Sequence, residues 1–171
     1  HDAVAFATFP AEGRVPRFVG RAAVPGFFDY LEGLEAGGET PFAAAAGTLL
    51  SRQGPSGITV VISDLLTSEW SHLMGLRARG SELILLHLLS EDDTSPELAG
   101  DLELIDSETA NRLIVSLTPE LVDAYATRIE AWRAEVRQRC IDAGGSYLEV
   151  GAEDDVEELL LTSWRRSGVL R

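Results

Sequence analysis

The stretch ITVVISDLL, residues 58–66, sets five β-prone residues in a row before Ser63 and Asp64, then turns apolar again. An unbroken run without alternation is the pattern of a strand covered on both faces, as in a parallel α/β sheet. Asp64 then falls at the strand's C-terminal end. In open α/β sheets that edge collects ligands, because the strands deliver side chains there and helix N-termini turn their positive ends toward it.

The same rhythm extends in both directions. Upstream, residues 40–54 predict a helix with Thr40 as N-cap, Pro41 at the first helical position, an alanine-rich body and a closing Gly54. Residues 3–9 and 14–19 read as two strands joined by the turn PAEG, the second with a proline that suits an edge. Residues 22–36 read as a helix on which Phe27, Phe28, Leu31 and Leu34 recur at helical spacing. Downstream, residues 67–80 predict an amphipathic helix, and ELILLHLL, residues 82–89, a second continuous apolar strand followed by the acidic SEDD. Residues 101–117 alternate as two strands around a polar turn. A long helix over residues 119–143 opens with TPE and closes at Gly144 and Gly145, and a short strand at 146–151 precedes a last helix over 153–168. The expected fold is α/β, a three-layer sandwich with a mostly parallel central sheet and a β-hairpin insertion.

The chain has 171 residues, the size of one domain, with no internal repeat and no low-complexity linker. Its 28 acidic residues oppose 14 basic ones, all arginine, for a net charge of −14. That sign argues against a nucleic-acid partner, whose phosphates demand neutralisation, and favours cationic partners or a divalent metal. The single Cys140 excludes an internal disulfide and a cysteine-based zinc cluster, and reads as a helix-borne packed thiol. The longest apolar runs are strand-sized, and the first ten residues lack the basic start of a signal peptide. A soluble segment without membrane contact, located in the cytoplasm, is therefore expected. The absence of an initiator methionine suggests a piece of a longer protein.

Neither the dinucleotide fingerprint nor the phosphate-binding P-loop occurs, and GPSG at 54–57 precedes a strand instead of following one, unlike a nucleophile elbow. His1, His72 and His87 show no ligand spacing, and His87 inside a leucine strand reads as a hydrogen-bonded core residue. What remains is Thr40 in the loop before one helix and Asp64 at the end of the next strand. Both offer hard oxygens of the kind that Mg²⁺ or Mn²⁺ takes. Each also has a plainer reading, Thr40 as an N-cap and Asp64 as a cap on the turn that follows. Glu91, Asp92 and Asp93, with Ser63, are candidates for the rim of the same site, against the alternative of a solvated loop.

Taken in order, DAVAFATF, GGETPFAAAAGTLL, VVISDLL, RARGSELILLHLL, LELIDSETANRLIV and AYATRIEAWRAEVRQRCIDAGGSYLEV resemble a von Willebrand factor A (vWA) domain. The specific likeness is to the bacterial "domain of unknown function 58" group, over nearly the whole chain. The resemblance implies a metal-ion-dependent adhesion site of three parts: an Asp-x-Ser-x-Ser loop after the first strand, a threonine, and an aspartate after the fourth strand. Thr40 and Asp64 match the second and third parts; the first has no counterpart. The expectation is one vWA-like domain over residues 1–171, N-terminally incomplete, with a partial, degenerate site that binds Mg²⁺ (or Mn²⁺ or Ca²⁺) weakly.

The resemblance further implies a non-enzymatic protein–protein interaction domain acting with a MoxR-type AAA+ ATPase in protein assembly or maturation, in a family whose full-length members often carry membrane-anchoring helices upstream. The competing reading is a metal-dependent hydrolase or phosphotransferase using Asp64. Haloacid-dehalogenase-like enzymes place D-x-D at such a strand end, where this chain has DLL. The family's strand order puts its first strand between AVAFATF and ITVVIS. With that strand missing, either AVAFATF slides inward to pair with ITVVIS, the favoured expectation, or a strand from a second copy fills the slot and makes a homodimer.

Overall fold

The computed structural model describes residues 3–8, 15–35, 42–51, 57–79, 81–96, 100–106, 110–159, 161 and 164. The fold is mixed α/β: a three-stranded parallel sheet joined by two antiparallel hairpins. The parallel sheet contains β3 (Ile58–Ser63), β4 (Glu82–Leu89) and β7 (Ser146–Gly151), with β4 in the middle. Ile58 pairs with Glu82 and Ser63 with His87, while Ile84 pairs with Ser146 and Leu89 with Gly151.

This register places Val61, Leu83, Leu85 and Tyr147 on one face. Against that face pack α2 (Phe42–Ser51), a 3₁₀ helix (Trp70–Arg79) and α4 (Pro119–Asp142), giving a core of Phe42, Ala46, Val61, Leu65, Trp70, Leu73, Leu76, Leu83, Leu85, Val136 and Cys140. The continuous run in β4 does mark a strand buried on both sides, from Leu83 to His87. The same expectation fails for β3. Its Val61 is buried, but Ile58, Val60 and Ile62 are 65 %, 51 % and 58 % exposed. All three core helical elements lie over the other face, and the edge strand's outward side chains meet no cover among the described residues.

The segment expected to be an α-helix over 67–80 is 3₁₀ from Trp70 to Arg79. The reason is legible in its buried positions. Trp70, Leu73 and Leu76 recur every third residue, and side chains three apart eclipse on a 3₁₀ helix, forming one straight stripe toward the core. Its far end is tied down by Arg77, which donates to the carbonyls of Gly144 and Ser81, both at 3.0 Å.

Helix α4 begins at Thr118, whose hydroxyl accepts from the Leu121 amide, and ends in a turn whose Gly144 has φ +77°. The next residue, Gly145, is required for a different reason. A Cβ there would lie 2.9 Å from Cys140 Sγ and 3.3 Å from the Leu83 carbonyl oxygen, so only glycine lets the chain pass between helix and sheet. Cys140 is fully buried, and burial raises its thiol pKa.

The inward shift of the first strand does not occur. Strand β1 (Ala3–Ala5) pairs with β2 (Arg17–Val19) in an antiparallel hairpin of its own, Ala3 opposite Val19. The hairpin is followed by a 3₁₀ turn (Arg21–Ala23) and α1 (Val24–Glu32), and together they form a separate aromatic cluster. Phe18 lies 5.1 Å and Phe6 5.8 Å from the Phe27 ring, both edge-on, and both pack on Tyr30 at 5.9 Å. Three residues of strand, all exposed, offer little to the large sheet, whereas these rings satisfy one another locally. Among the described residues, the outer edge of β3 has no partner strand.

The second hairpin, β5 (Gly100–Ile105) and β6 (Arg112–Leu117), forms as the alternation indicates, with Glu103 bridged to Arg112 at 3.0 Å. The last helix is described as α5 (Val156–Glu158), capped by Asp155; most of the remainder of that expected helix lies outside the described residues. No helix among the described residues is long and apolar enough to cross a membrane.

Candidate functional site at the C-terminal edge of the sheet

All three parallel strands end at one edge, and each delivers a carboxylate just beyond its last pair. After β3, the chain turns sharply. The Leu65 amide donates to Ser63 Oγ at 3.0 Å, the Leu66 amide to Asp64 Oδ1 at 3.2 Å, and the Thr67 amide to the Leu65 carbonyl at 2.7 Å. Leu65 sits at φ +57° with its side chain fully buried, an uncommon conformation for leucine. Asp64 itself is exposed. The plain reading of Asp64 as a turn cap thus accounts for one of its oxygens, and the second makes no bond among the described residues. Ser63 turns its hydroxyl to its own turn.

After β4, Ser90 caps the single-turn α3 (Glu91–Thr94). Ser90 Oγ accepts from the Asp93 amide at 3.1 Å, while Asp93 Oδ2 accepts from the Ser90 amide at 2.9 Å and from its hydroxyl at 2.7 Å. Both bonds fall on Oδ2 of Asp93, and Oδ1 makes no bond among the described residues. Glu91 and Asp92 occupy the same first turn, where negative charge complements the helix N-terminus. Glu91 and Asp92 are exposed, as the solvated alternative has them, on a capped turn that Tyr125 of α4 fastens by donating to the Asp93 carbonyl at 2.6 Å. After β7, the Gly151 amide donates to Asp154 Oδ2 at 2.7 Å.

Thr40 lies outside the described residues, so its distance from Asp64 is not part of the structure. The helix it precedes is informative nevertheless. The Ala43 amide, in the first turn of α2, donates to Glu69 Oε2 at 3.2 Å, which brings the start of α2 to the segment leaving Asp64. A carboxylate on the positive end of a helix is the arrangement the macrodipole favours. Sequence reading passed over Glu69, taking SEW as the opening of the next helix. The signal available was an acid five residues beyond Asp64.

Behind the Asp64 turn lies a buried polar chain. His87 is fully buried on β4, with Nε2 3.1 Å from the Asp64 carbonyl oxygen and Nδ1 2.8 Å from the Tyr147 hydroxyl. The Trp132 ring of α4 meets the imidazole edge-on at 4.9 Å. The Tyr147 hydroxyl is also 3.2 Å from Glu149 Oε2, and Glu149 is bridged to Arg133. Desolvation dominates the proton affinities here, lowering the His87 pKa below its usual value and raising that of Tyr147 well above it. Hydrogen bonding to Glu149 is the main reason the Arg133 pKa rises. The expectation that His87 is a hydrogen-bonded core residue matches its place.

Among the described residues, no group of three or more His, Cys, Asp or Glu side chains converges as a metal cage would. The described donors therefore fit a divalent ion only in part. Asp64, Asp93 and Asp154 each bond a nearby backbone amide through one oxygen and leave the other unengaged among the described residues, and the three do not converge.

A family model described as a protein of unknown function, DUF58, matches residues 3–135. No curated protein and no solved structure matches the chain.

Proposed function

Because the chain belongs to the DUF58 family, whose model spans most of it, we propose that it is a non-enzymatic docking domain of the von Willebrand factor A kind. In this reading the sheet is the middle of a three-layer sandwich of which the described helices cover one face, residues 1–171 are one domain, and the C-terminal edge is the docking surface. The observation that carries it is Asp64: an exposed carboxylate at the end of a parallel strand, one oxygen fixed by its turn and the other unengaged among the described residues. Asp64 and Thr40 would hold a Mg²⁺ (or Mn²⁺ or Ca²⁺) ion, which when bound offers open positions to an acidic residue of a partner protein. The residues themselves supply the preorganisation: Ser63 and His87 hold the turn, and Glu69 brings α2 to the same edge. A net charge of −14 suits a role in which a cation screens the approach of an acidic partner. The partner class is a MoxR-type AAA+ ATPase, and the process protein assembly or maturation.

The test is Mn²⁺-induced relaxation broadening in the ¹⁵N-labelled chain, alongside calorimetry with a MoxR-type ATPase with and without Mg²⁺. Broadening centred on residues 63–67, lost in Asp64→Asn, and ATPase binding that requires Mg²⁺ are the expected results. Two coordinating side chains imply a dissociation constant of roughly a millimolar or weaker for the metal alone. Metal-independent ATPase binding that survives Asp64→Asn refutes the docking role of this edge.

A further inference from the structure

We infer that His87 is a positioning residue for Asp64, the middle of a hydrogen-bond chain with a fixed direction that runs from Tyr147 through His87 to the Asp64 carbonyl and sets how the Asp64 carboxylate is presented. What Asp64 then binds rests on the docking role proposed above; the positioning does not.

The direction follows from which atoms can donate. A peptide carbonyl only accepts, so the ring nitrogen 3.1 Å from the Asp64 oxygen, Nε2, carries a hydrogen. The ring is fully buried with its two nitrogens facing a carbonyl and a hydroxyl and bonded to no carboxylate among the described residues, so the ring is neutral and Nδ1 is an acceptor. Tyr147 has one proton and two acceptors in reach, Nδ1 at 2.8 Å and Glu149 Oε2 at 3.2 Å. The shorter contact takes it, and Glu149 is served by Arg133 instead. The chain therefore reads Tyr147 O–H to Nδ1, then Nε2–H to the Asp64 oxygen, each bond polarising the next.

That last bond fixes one end of the peptide between Asp64 and Leu65. The other end, the Leu65 amide, donates to Ser63 Oγ at 3.0 Å. With both ends held, the peptide plane cannot rotate, and Leu65 keeps φ +57° with its side chain in the core. The Leu66 amide is thereby brought to Asp64 Oδ1 at 3.2 Å, which orients the carboxylate at the exposed edge. The edge-on Trp132 ring at 4.9 Å packs against the imidazole and joins α4 to the arrangement. His87 thus does for the Asp64 turn what an outer-shell partner does for a ligating side chain: it sets orientation without touching what is bound.

The experiment uses the full ¹⁵N-labelled chain and two readouts. The first is the His87 tautomer by imidazole ¹⁵N shifts, for which the Nε2–H form is expected; the Nδ1–H form or an imidazolium at neutral pH overturns the chain. The second is amide exchange at Leu65, Leu66 and Thr67, referenced to Val61 and Leu85 in the sheet. In His87→Leu, protection of the three turn amides falls roughly tenfold or more beyond any fall at the sheet amides, because the Asp64 carbonyl loses the donor that holds its peptide plane. His87→Gln, which can donate to the Asp64 oxygen and accept from Tyr147, restores it to within about threefold. Equal losses at turn and sheet, or no rescue by glutamine, overturn the proposal. Should His87→Leu fail to fold, Tyr147→Phe takes its place: a selective loss at the same three amides supports the chain and an unselective one overturns it. Mn²⁺ broadening recorded on the wild-type sample separates the two readings, since its absence counts against the docking role alone.

Discussion

Among the described residues, two other than glycine, Leu65 and Ala110, hold the same left-handed φ of +57°, and replacing each by glycine yields opposite outcomes. Ala110 is exposed, at the tip of the second hairpin, where its amide donates to the Asp106 carbonyl at 2.9 Å. A side chain in this region costs about 1–2 kcal/mol relative to a right-handed conformation. Glycine removes that cost, and the greater freedom it gives the unfolded chain returns part of it, so Ala110→Gly gains about 0.5–1 kcal/mol. Leu65 gains the same relief but surrenders a fully buried side chain. Leucine truncation at such sites costs about 2–5 kcal/mol, which leaves Leu65→Gly about 2–4 kcal/mol less stable than wild type. Urea unfolding followed by far-ultraviolet circular dichroism measures both, with the midpoint moving at constant slope. A destabilised Ala110→Gly, or a Leu65→Gly indistinguishable from wild type, refutes the reasoning that strain and burial act separately at these positions.

Gly145→Ala forces a methyl to 2.9 Å from Cys140 Sγ and is expected to cost about 1–3 kcal/mol, read from the urea midpoint. The lowered pKa of His87 means that the unfolded chain binds its proton more readily than the folded one does. Its contribution to stability is therefore present above the usual 6.5 and lost as pH falls through the lower folded value, at up to about 1.4 kcal/mol per pH unit. Thermal melts of wild type and His87→Gln between pH 7 and pH 5 should accordingly differ in slope, with the variant flatter. The uncharged, bulge-free edge of β3, carrying the exposed Ile58, Val60 and Ile62, is expected to drive concentration-dependent association, which Val60→Lys should reduce in sedimentation velocity.

The parts of the fold legible in the sequence are those whose signal is local. The buried run ELILLHLL, the alternation of β5 and β6 and the Thr118 and Gly144 boundaries of α4 each depend on neighbours within a few residues, and each forms as expected. What escaped depends on distant packing. ITVVIS looks buried on both faces because its composition is, yet coverage of one face is decided by where the helical elements settle. The spacing of Trp70, Leu73 and Leu76 was visible, but it is compatible with a slightly overwound α-helix until the whole stripe is seen against the core. At the candidate site, Asp64 stood out by position. Glu69 and the Tyr147–His87 chain did not, since they are joined by contacts spanning 26 and 60 residues.

The 3₁₀ character of Trp70–Arg79 has a consequence for reach. A chain leaving the end of β3 must travel back along the sheet before it can enter β4 in parallel, and the six paired residues amount to about 20 Å of strand. Ten residues wound as an α-helix advance only about 15 Å. Wound three to a turn, they advance about 20 Å, close to the length of the return, while residues 64–69 form the turn at the strand end. The winding of the segment thus bears on the distance between strand ends: Gly75→Ala, which favours α-helix, shortens the run by up to about 5 Å, a difference residues 64–69 must then make up.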